Sequence, residues 1–452
     1  MIDISINPGE EPEEIKELRD NLRVQLSIPI RLLGIDGTVM DTVSMNLSEG
    51  GIFIVTENPP TPGGSCWVEI VSLGGKEVLR GKVDVRWCIS KPVGEFPCGF
   101  GGRFIKVELQ GQDSIQAVVQ SALRRKSVQV HIKNLGNPEK LAKDISDIQN
   151  IIIPDETQPF ISEYGKHGDR DEFIWRWVYQ GLRLTALSSV DSALWDEVQI
   201  IKMLGVMFDV MLDDAADNIQ DKELVEQLLL IPFEGSFINK QKIPSEHVKY
   251  LKFTIKLWNE IKDRMQKLPR YSEFKRLMEF DYRQLLNCMR YALLVNNDPR
   301  CLNLAEHDLY QPHNMHMMIS STIDLMGSSV FDTGEIGILR EVTWNAQVMG
   351  RIGNAVSTWQ RELKDNDFTS GIFAMALTNG VLSHEDLLDP DVDKVENCLL
   401  KSQLEEKMLF EWGKHREKIS TLASRIKTIN IESLLEGLDR LIGIHLGSRG
   451  LK

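Results

Sequence analysis

The period of the hydrophobic pattern changes partway along this chain, and that change limits what it can fold into. From Arg23 to Val107 apolar and polar residues alternate in short runs, as in Val24-Gln25-Leu26-Ser27-Ile28, Gly51-Ile52-Phe53-Ile54-Val55 and Gly81-Lys82-Val83-Asp84-Val85. Turn signals at Asp36-Gly37, Pro59-Pro60, Pro62-Gly63-Gly64 and Gly74-Gly75 separate the runs. Alternation sends successive side chains to opposite faces of a strand, so this pattern predicts a small antiparallel β-barrel. A helix is expected from Gln112 to Arg125, with Ile115, Val118, Val119 and Leu123 on one face.

Residues 126–158 sustain no period and read as a connector. From 159 to 452 the spacing turns helical, with long segments at Phe173 to Leu187, Leu194 to Asp213, Glu246 to Gln266, Ser272 to Leu294 and Val395 to Ile426. The expected architecture is multi-domain: an acidic leader over 1–18, a barrel with a terminal helix over 19–125, the connector, and an all-α domain.

The net charge of −14 argues against a nucleic-acid partner. No run of about 18 uncharged apolar residues occurs, and the first residues lack the basic and apolar regions of a signal peptide, so no transmembrane segment and a cytoplasmic location are expected. The six cysteines form no CxxC pair, which suggests free thiols rather than zinc or disulfides.

Two polar signatures interrupt the helical half. Asp213-Asp214-Ala215-Ala216-Asp217, a DDxxD, closes the apolar run Met203 to Leu212. A helical domain's length further on, Asn354, Thr358 and Glu362 recur at i, i+4 and i+8, which lines an amide, a hydroxyl and a carboxylate along one side of a helix. Crowded carboxylates beside apolar helix are costly unless a cation neutralises them, and oxygen-only ligands suit a hard ion such as Mg2+. The natural partner of such a site is a diphosphate.

The pair resembles the two metal motifs of class I terpene synthases, the aspartate-rich motif and the (N/D)xxx(S/T)xxxE motif. The resemblance implies an all-α fold, three Mg2+ ions held by Asp213, Asp214, Asp217, Asn354, Thr358 and Glu362, and a prenyl diphosphate substrate. It also implies diphosphate contacts from Arg361, although at about 100° per residue this side chain turns away from Glu362. Arg449, in Ser448-Arg449-Gly450, stands in part where the family carries an Arg-Tyr pair. The sequence departs from the family at Ala355, where Asp is frequent, and at Thr358, where Ser is commoner. It departs further between Pro312 and Gly327, which contains no arginine where a diphosphate-sensing one is expected. His307, Asp308, His313 and His316 lie in or near this segment, and Pro312 makes a helix start with polar packing the expected reading rather than a metal site.

In the first half, Arg19 and Arg23 form an RxxxR before the first strand, and Asn46-Leu47-Ser48-Glu49-Gly50-Gly51 reads as (D/N)xSxxG before the Ile52-Phe53-Ile54 strand. Over residues 18–108 this resembles a PilZ domain. The resemblance implies that the bacterial messenger cyclic di-GMP is bound by Arg19, Arg23, Asn46, Ser48 and Gly51. Arginine forks suit phosphate oxygens and the O6/N7 edge of guanine, and the turn offers amide, hydroxyl and backbone donors.

The two resemblances together imply a Mg2+-dependent bacterial terpene synthase, cyclising a prenyl diphosphate or eliminating from it, tuned by cyclic di-GMP. The alternative is a non-catalytic cyclic di-GMP-responsive signalling protein whose helical half is a docking or output module. A chain-elongating prenyl transferase would require a second DDxxD, which Asp365-Asn366-Asp367 does not supply. A homodimer is left open.

Overall fold

The computed structural model describes residues 24–25, 29–33, 39–48, 50–71, 78–90, 97–107, 147–168, 170–234 and 238–449. The chain divides into two units, Met1–Val130 and His131–Lys452.

The first unit is built from β1 (Val24–Gln25), β2 (Pro29–Leu33), β3 (Val39–Ser48), β4 (Gly51–Val55), β5 (Ser65–Val71), β6 (Val78–Ile89) and β7 (Gly99–Val107). All pairings are antiparallel, in the order β3-β2-β5-β6-β7-β4, and β4 pairs back onto β3 to close the barrel. The short β1 pairs with the end of β3. Period-two alternation fills the interior with Ile30, Leu32, Ile52, Ile54, Val68, Val83, Val85 and Phe100. On the other face Phe53 lies under Trp87, with ring centroids 5.2 Å apart. A side chain at Gly101 would collide with the Trp87 indole, so glycine there permits the ring to lie on the strand. The helix expected over 112–125 lies outside the described residues.

The second unit is helical. Beyond single turns it comprises α1 (Gln158–Tyr164), α2 (Glu172–Leu184), α3 (Trp195–Asp214), α4 (Lys222–Leu228), α5 (Val248–Met265), α6 (Tyr271–Asn297), α7 (Leu304–Tyr310), α8 (Met317–Met326), α9 (Ile336–Lys364), α10 (Gly371–Thr378), α11 (Val392–Lys401), α12 (Leu404–Leu422) and α13 (Ile431–Gly447). Starts are capped as the side chains dictate: Asp171, Asp221, Asn303, Asp391 and Asn430 each accept a backbone N–H from the first turn of α2, α4, α7, α11 and α13. Two features differ from the expected outline. The segment Val395 to Ile426 is broken, because Gln403 takes a left-handed φ of 57° between α11 and α12. Within the expected connector, Ile148 and Ile153 are buried in the helical core.

The helix α3 is buried around most of its circumference, and α9 packs against α12 and α13. Two polar ties fasten the bundle. Lys202 of α3 and Asp324 of α8 form a 2.9 Å ion pair with 0% and 1% exposure, and Leu187 N donates to the second Asp324 oxygen. Asp281 of α6 accepts from Arg340 of α9 at 2.8 and 3.1 Å and from Thr322 of α8 at 2.9 Å.

Candidate active site and ligand site

The α-helical ladder of α3 ends at Asp214, and a five-residue π turn, Ala215–Ile219, continues it. Gln220 N closes that turn on Ala215 O at 2.9 Å and leaves it in left-handed conformation at φ 55°. The DDxxD therefore straddles a change of helix type. Asp209, Asp213 and Asp217 follow one another down one face, and Asp214 lies beside them.

Every side-chain oxygen of Asp213 and Asp214 has a protein donor. Arg170 Nη2 reaches Asp213 Oδ2 and Asp214 Oδ1 at 2.8 Å each, and its Nε reaches Asp214 Oδ1 at 3.0 Å. Tyr164 donates to Asp214 Oδ2 at 2.7 Å, and Asn314 Nδ2 donates to Asp213 Oδ1 at 2.9 Å. Asn314 belongs to the arginine-free segment before α8, so that segment meets Asp213 through an amide. Asp209, 3% exposed, has an oxygen without a hydrogen-bond partner.

On α9 the three expected residues act together. Thr358 Oγ1 lies 2.7 Å from Glu362 Oε1 and 2.8 Å from Asn354 O, sharing its proton between them. Arg351, one turn earlier, donates to Asn354 Oδ1 at 3.0 Å and to Thr369 O at 3.0 Å. Glu362 is 5% exposed, and its Oε2 has no partner.

The two motifs converge through α6 and the loop after α9. Asn296 Nδ2 donates to Asp217 Oδ1 at 2.9 Å while its Oδ1 accepts from Phe368 N at 3.2 Å, and Asp367 N donates to Glu362 O at 2.9 Å. Asp367 repels charge on both Asp217 and Glu362. Burial raises the Cys288 thiol pKa well above the usual value; Arg351 opposes this, and Asp209, Asp213 and Asp217 reinforce it.

Burial governs the acid strengths. It raises the Asp209 carboxyl well above the usual range, with Asp213 adding to it. It does the same at Asp217, with help from Asp367 and Asp213, and raises Asp214 against the opposing Arg170 charge. Burial, then Asp367, pushes Glu362 up to about 6. Each group resists carrying its charge without a further cation. Among the described residues no three His, Cys, Asp or Glu side chains are gathered closely enough to hold an ion by themselves.

The two expected diphosphate arginines lie apart from the aspartates. Arg361 turns outward, 44% exposed, 3.9 Å from Asp365, as the 100° step from Glu362 requires. Arg449 lies against another face of α9, donating to Val356 O at 2.6 Å and pairing with Glu405 at 2.9 Å. Neither is brought to the aspartates. Sequence reasoning missed Arg170, Asn296, Asn314 and Arg351. Of these only Arg351, three residues before Asn354, had a local signal in helical spacing. The histidines serve packing: His313 lies tilted against Trp344 with centroids 5.2 Å apart, and His316 Nδ1 meets Ser320 Oγ at 3.1 Å.

In the barrel, Asn46 and Ser48 lie on β3 and Gly51 opens β4, with Ser48 opposite Gly51 across the hairpin. Val24 and Gln25 of β1 pair with Leu47 and Asn46. Arg23 immediately precedes that strand in sequence; it and Arg19 lie outside the described residues.

A closed antiparallel barrel with a β3–β4 hairpin placed against the incoming first strand defines the class of the N-terminal unit. Residues 17–121 match the family described as PilZ domain, and this unit is a PilZ domain. Among solved structures, the inhibitor of motility from Bacillus subtilis is similar at 19% identity over 24% of this chain, with a TM-score of 0.20; the match spans about half, 51%, of that protein. A polyprenyl synthase from Caulobacter crescentus CB15, solved with calcium and isoprenyl diphosphate, is similar at 10% identity over 72% of this chain and 97% of its own, with a TM-score of 0.38. Comparison with curated protein sequences finds no match. Among the described residues no helix is long and apolar enough to cross a membrane.

Proposed function

We propose that the helical unit ionises a prenyl diphosphate in the manner of a class I terpene synthase, and that cyclic di-GMP bound to the PilZ domain tunes it. The observation that carries this reading is the hydrogen-bonded path from Asp217 through Asn296 to the Phe368 backbone, beside Asp367 and Glu362. These bonds tie Asp217 to the loop that leaves Glu362, which supports reading the DDxxD and the Asn354/Thr358/Glu362 face as one site.

The residues fit a divalent cation in their chemistry. The donors are oxygens, and two buried carboxylate oxygens, Asp209 Oδ1 and Glu362 Oε2, stand without partners. Asp213 and Asp217 on one side and Asn354, Thr358 and Glu362 on the other would hold Mg2+. When bound, such ions act as Lewis acids on the departing diphosphate. Thr358 orients Glu362, and Arg351 orients Asn354. Phe208 of α3, Trp258 of α5 and Tyr282 of α6 pack ring against ring, and an apolar wall of this kind would keep water from a developing cation.

One observation favours the rival reading of a non-catalytic output module: Arg170, Tyr164 and Asn314 occupy all the oxygens of Asp213 and Asp214. Incubation with Mg2+ and geranyl, farnesyl or geranylgeranyl diphosphate separates the two readings. The synthase reading expects inorganic pyrophosphate and volatile terpenes; release no faster than from a Glu362→Gln variant would overturn it.

A further inference from the structure

The PilZ and terpene synthase resemblances leave Arg170 without a role, yet it makes the densest set of polar contacts at the DDxxD. It precedes α2 by a single residue beyond the cap Asp171, and its side chain is 27% exposed. Its guanidinium spans two carboxylates at 2.8 Å, while Tyr164, the last residue of α1, holds the remaining oxygen of Asp214. Tyr164 is fixed in turn by an edge contact with Trp175 at 4.9 Å. A hard cation and this guanidinium compete for one oxygen, Asp213 Oδ2, and their like charges repel, so a cation that binds there drives the guanidinium off.

The displaced guanidinium needs another anion, since its positive charge would otherwise stand beside an added divalent one. A diphosphate supplies it: the planar fork that grips two carboxylate oxygens matches two phosphate oxygens equally well. The arginine-free stretch from Pro312 to Gly327 reaches Asp213 through the amide of Asn314, on Oδ1, and Arg170 is the cationic group that holds Oδ2. Asp209, which lies close enough to Arg170 and Asp213 to feel both charges, is more than nine-tenths buried and keeps one oxygen without a partner, so bonding capacity is left over beside Arg170.

We propose that Arg170 is a cation-mimicking latch on Asp213 and Asp214 that transfers to the diphosphate, so that the site takes up Mg2+ and diphosphate as a coupled pair and resists Mg2+ alone. The inference rests on the synthase reading of the same site. It goes further by assigning the diphosphate arginine and by making cation entry conditional on the anion.

Calorimetry on the full chain with Mg2+ alone, inorganic pyrophosphate alone, and both together tests it. The native protein is expected to bind Mg2+ weakly alone and pyrophosphate strongly only with Mg2+. Arg170→Gln should bind Mg2+ alone roughly tenfold or more tighter and the Mg2+–pyrophosphate pair roughly ten- to a hundredfold weaker, the scale of a lost charge-assisted pair. Arg170→Lys keeps the charge without the fork. It should still resist Mg2+ alone while losing several-fold in pyrophosphate affinity, and it carries the test if the glutamine variant does not fold. Unchanged affinities in the Arg170 variants, with Glu362→Gln abolishing pyrophosphate binding, would overturn the latch and leave the synthase reading standing. A native protein that binds no pyrophosphate at any Mg2+ concentration would overturn the synthase reading, and the transfer with it.

Discussion

Asn296 donates a 2.9 Å hydrogen bond to Asp217, and its own carbonyl accepts from the backbone of Phe368. One amide on α6 thus ties the π turn that ends the first acidic motif to the loop that leaves the second. Replacing it by alanine removes both bonds and leaves the half-buried Asp217 carboxylate short of a donor, which costs about 1–3 kcal/mol. Thermal unfolding of Asn296→Ala should move down by several degrees, and pyrophosphate release should fall with it; an unchanged midpoint would mean the tie is not formed in solution.

Metal-ligand variants should separate chemistry from folding. Asp213→Asn and Glu362→Gln are each expected to slow pyrophosphate release from a prenyl diphosphate by about 100-fold or more, since each removes an oxygen that helps neutralise the departing charge. Circular dichroism should stay helical in both. Native release rates in both variants would exclude these residues as the metal site.

The buried carboxylates make stability depend on pH in a stated direction. Glu362 titrates near 6 in the fold against an ordinary 4.5, so between those values the unfolded chain gives up its proton first. Stability without metal therefore falls as pH rises from about 4.5 to 6, by about 2 kcal/mol for this group. Asp209, Asp214 and Asp217 are shifted in the same direction and act with the same sign. Urea denaturation across that range should show the decline, and Glu362→Gln should flatten it; a rise in stability over the same interval would contradict the assignment.

Breaking the Lys202–Asp324 pair should be costly, because both ends are fully buried. Lys202→Met alone leaves a lone carboxylate in the core and should destabilise the helical unit by about 3–5 kcal/mol, whereas removing both partners together should cost less. A double-mutant cycle followed by chemical denaturation measures the difference, and equal losses in the single and double variants would rule out a coupled pair.

For the PilZ domain, β1 pairs with Leu47 and Asn46 directly after Arg23 in the chain. Cyclic di-GMP is expected to bind residues 1–125, and Arg23→Ala to weaken it by about 1.5–3 kcal/mol, the range for a lost charge-assisted hydrogen bond. Calorimetry with no heat and no thermal shift at millimolar ligand would remove the regulatory part of the proposal.

What the sequence determined by itself was whatever depends on local repetition. Alternation at Ile52, Ile54, Val83 and Val85 marked the barrel strands, and the i, i+4, i+8 spacing of Asn354, Thr358 and Glu362 placed them on one side of α9. The same periodicity argued that Arg361 turns away from Glu362, and it does. The break at Gln403 went unseen because nothing in residue type marks that position as left-handed. The tertiary structure alone decided the company these side chains keep. Arg170 and Tyr164 meet Asp214, Asn314 meets Asp213, and Asn296 meets both Asp217 and Phe368, each across long stretches of chain. Periodicity orients a side chain about its own helix axis, but a partner on another helix depends on how whole helices pack. That packing is set by the buried apolar faces, which carry no mark of which polar groups they will bring together.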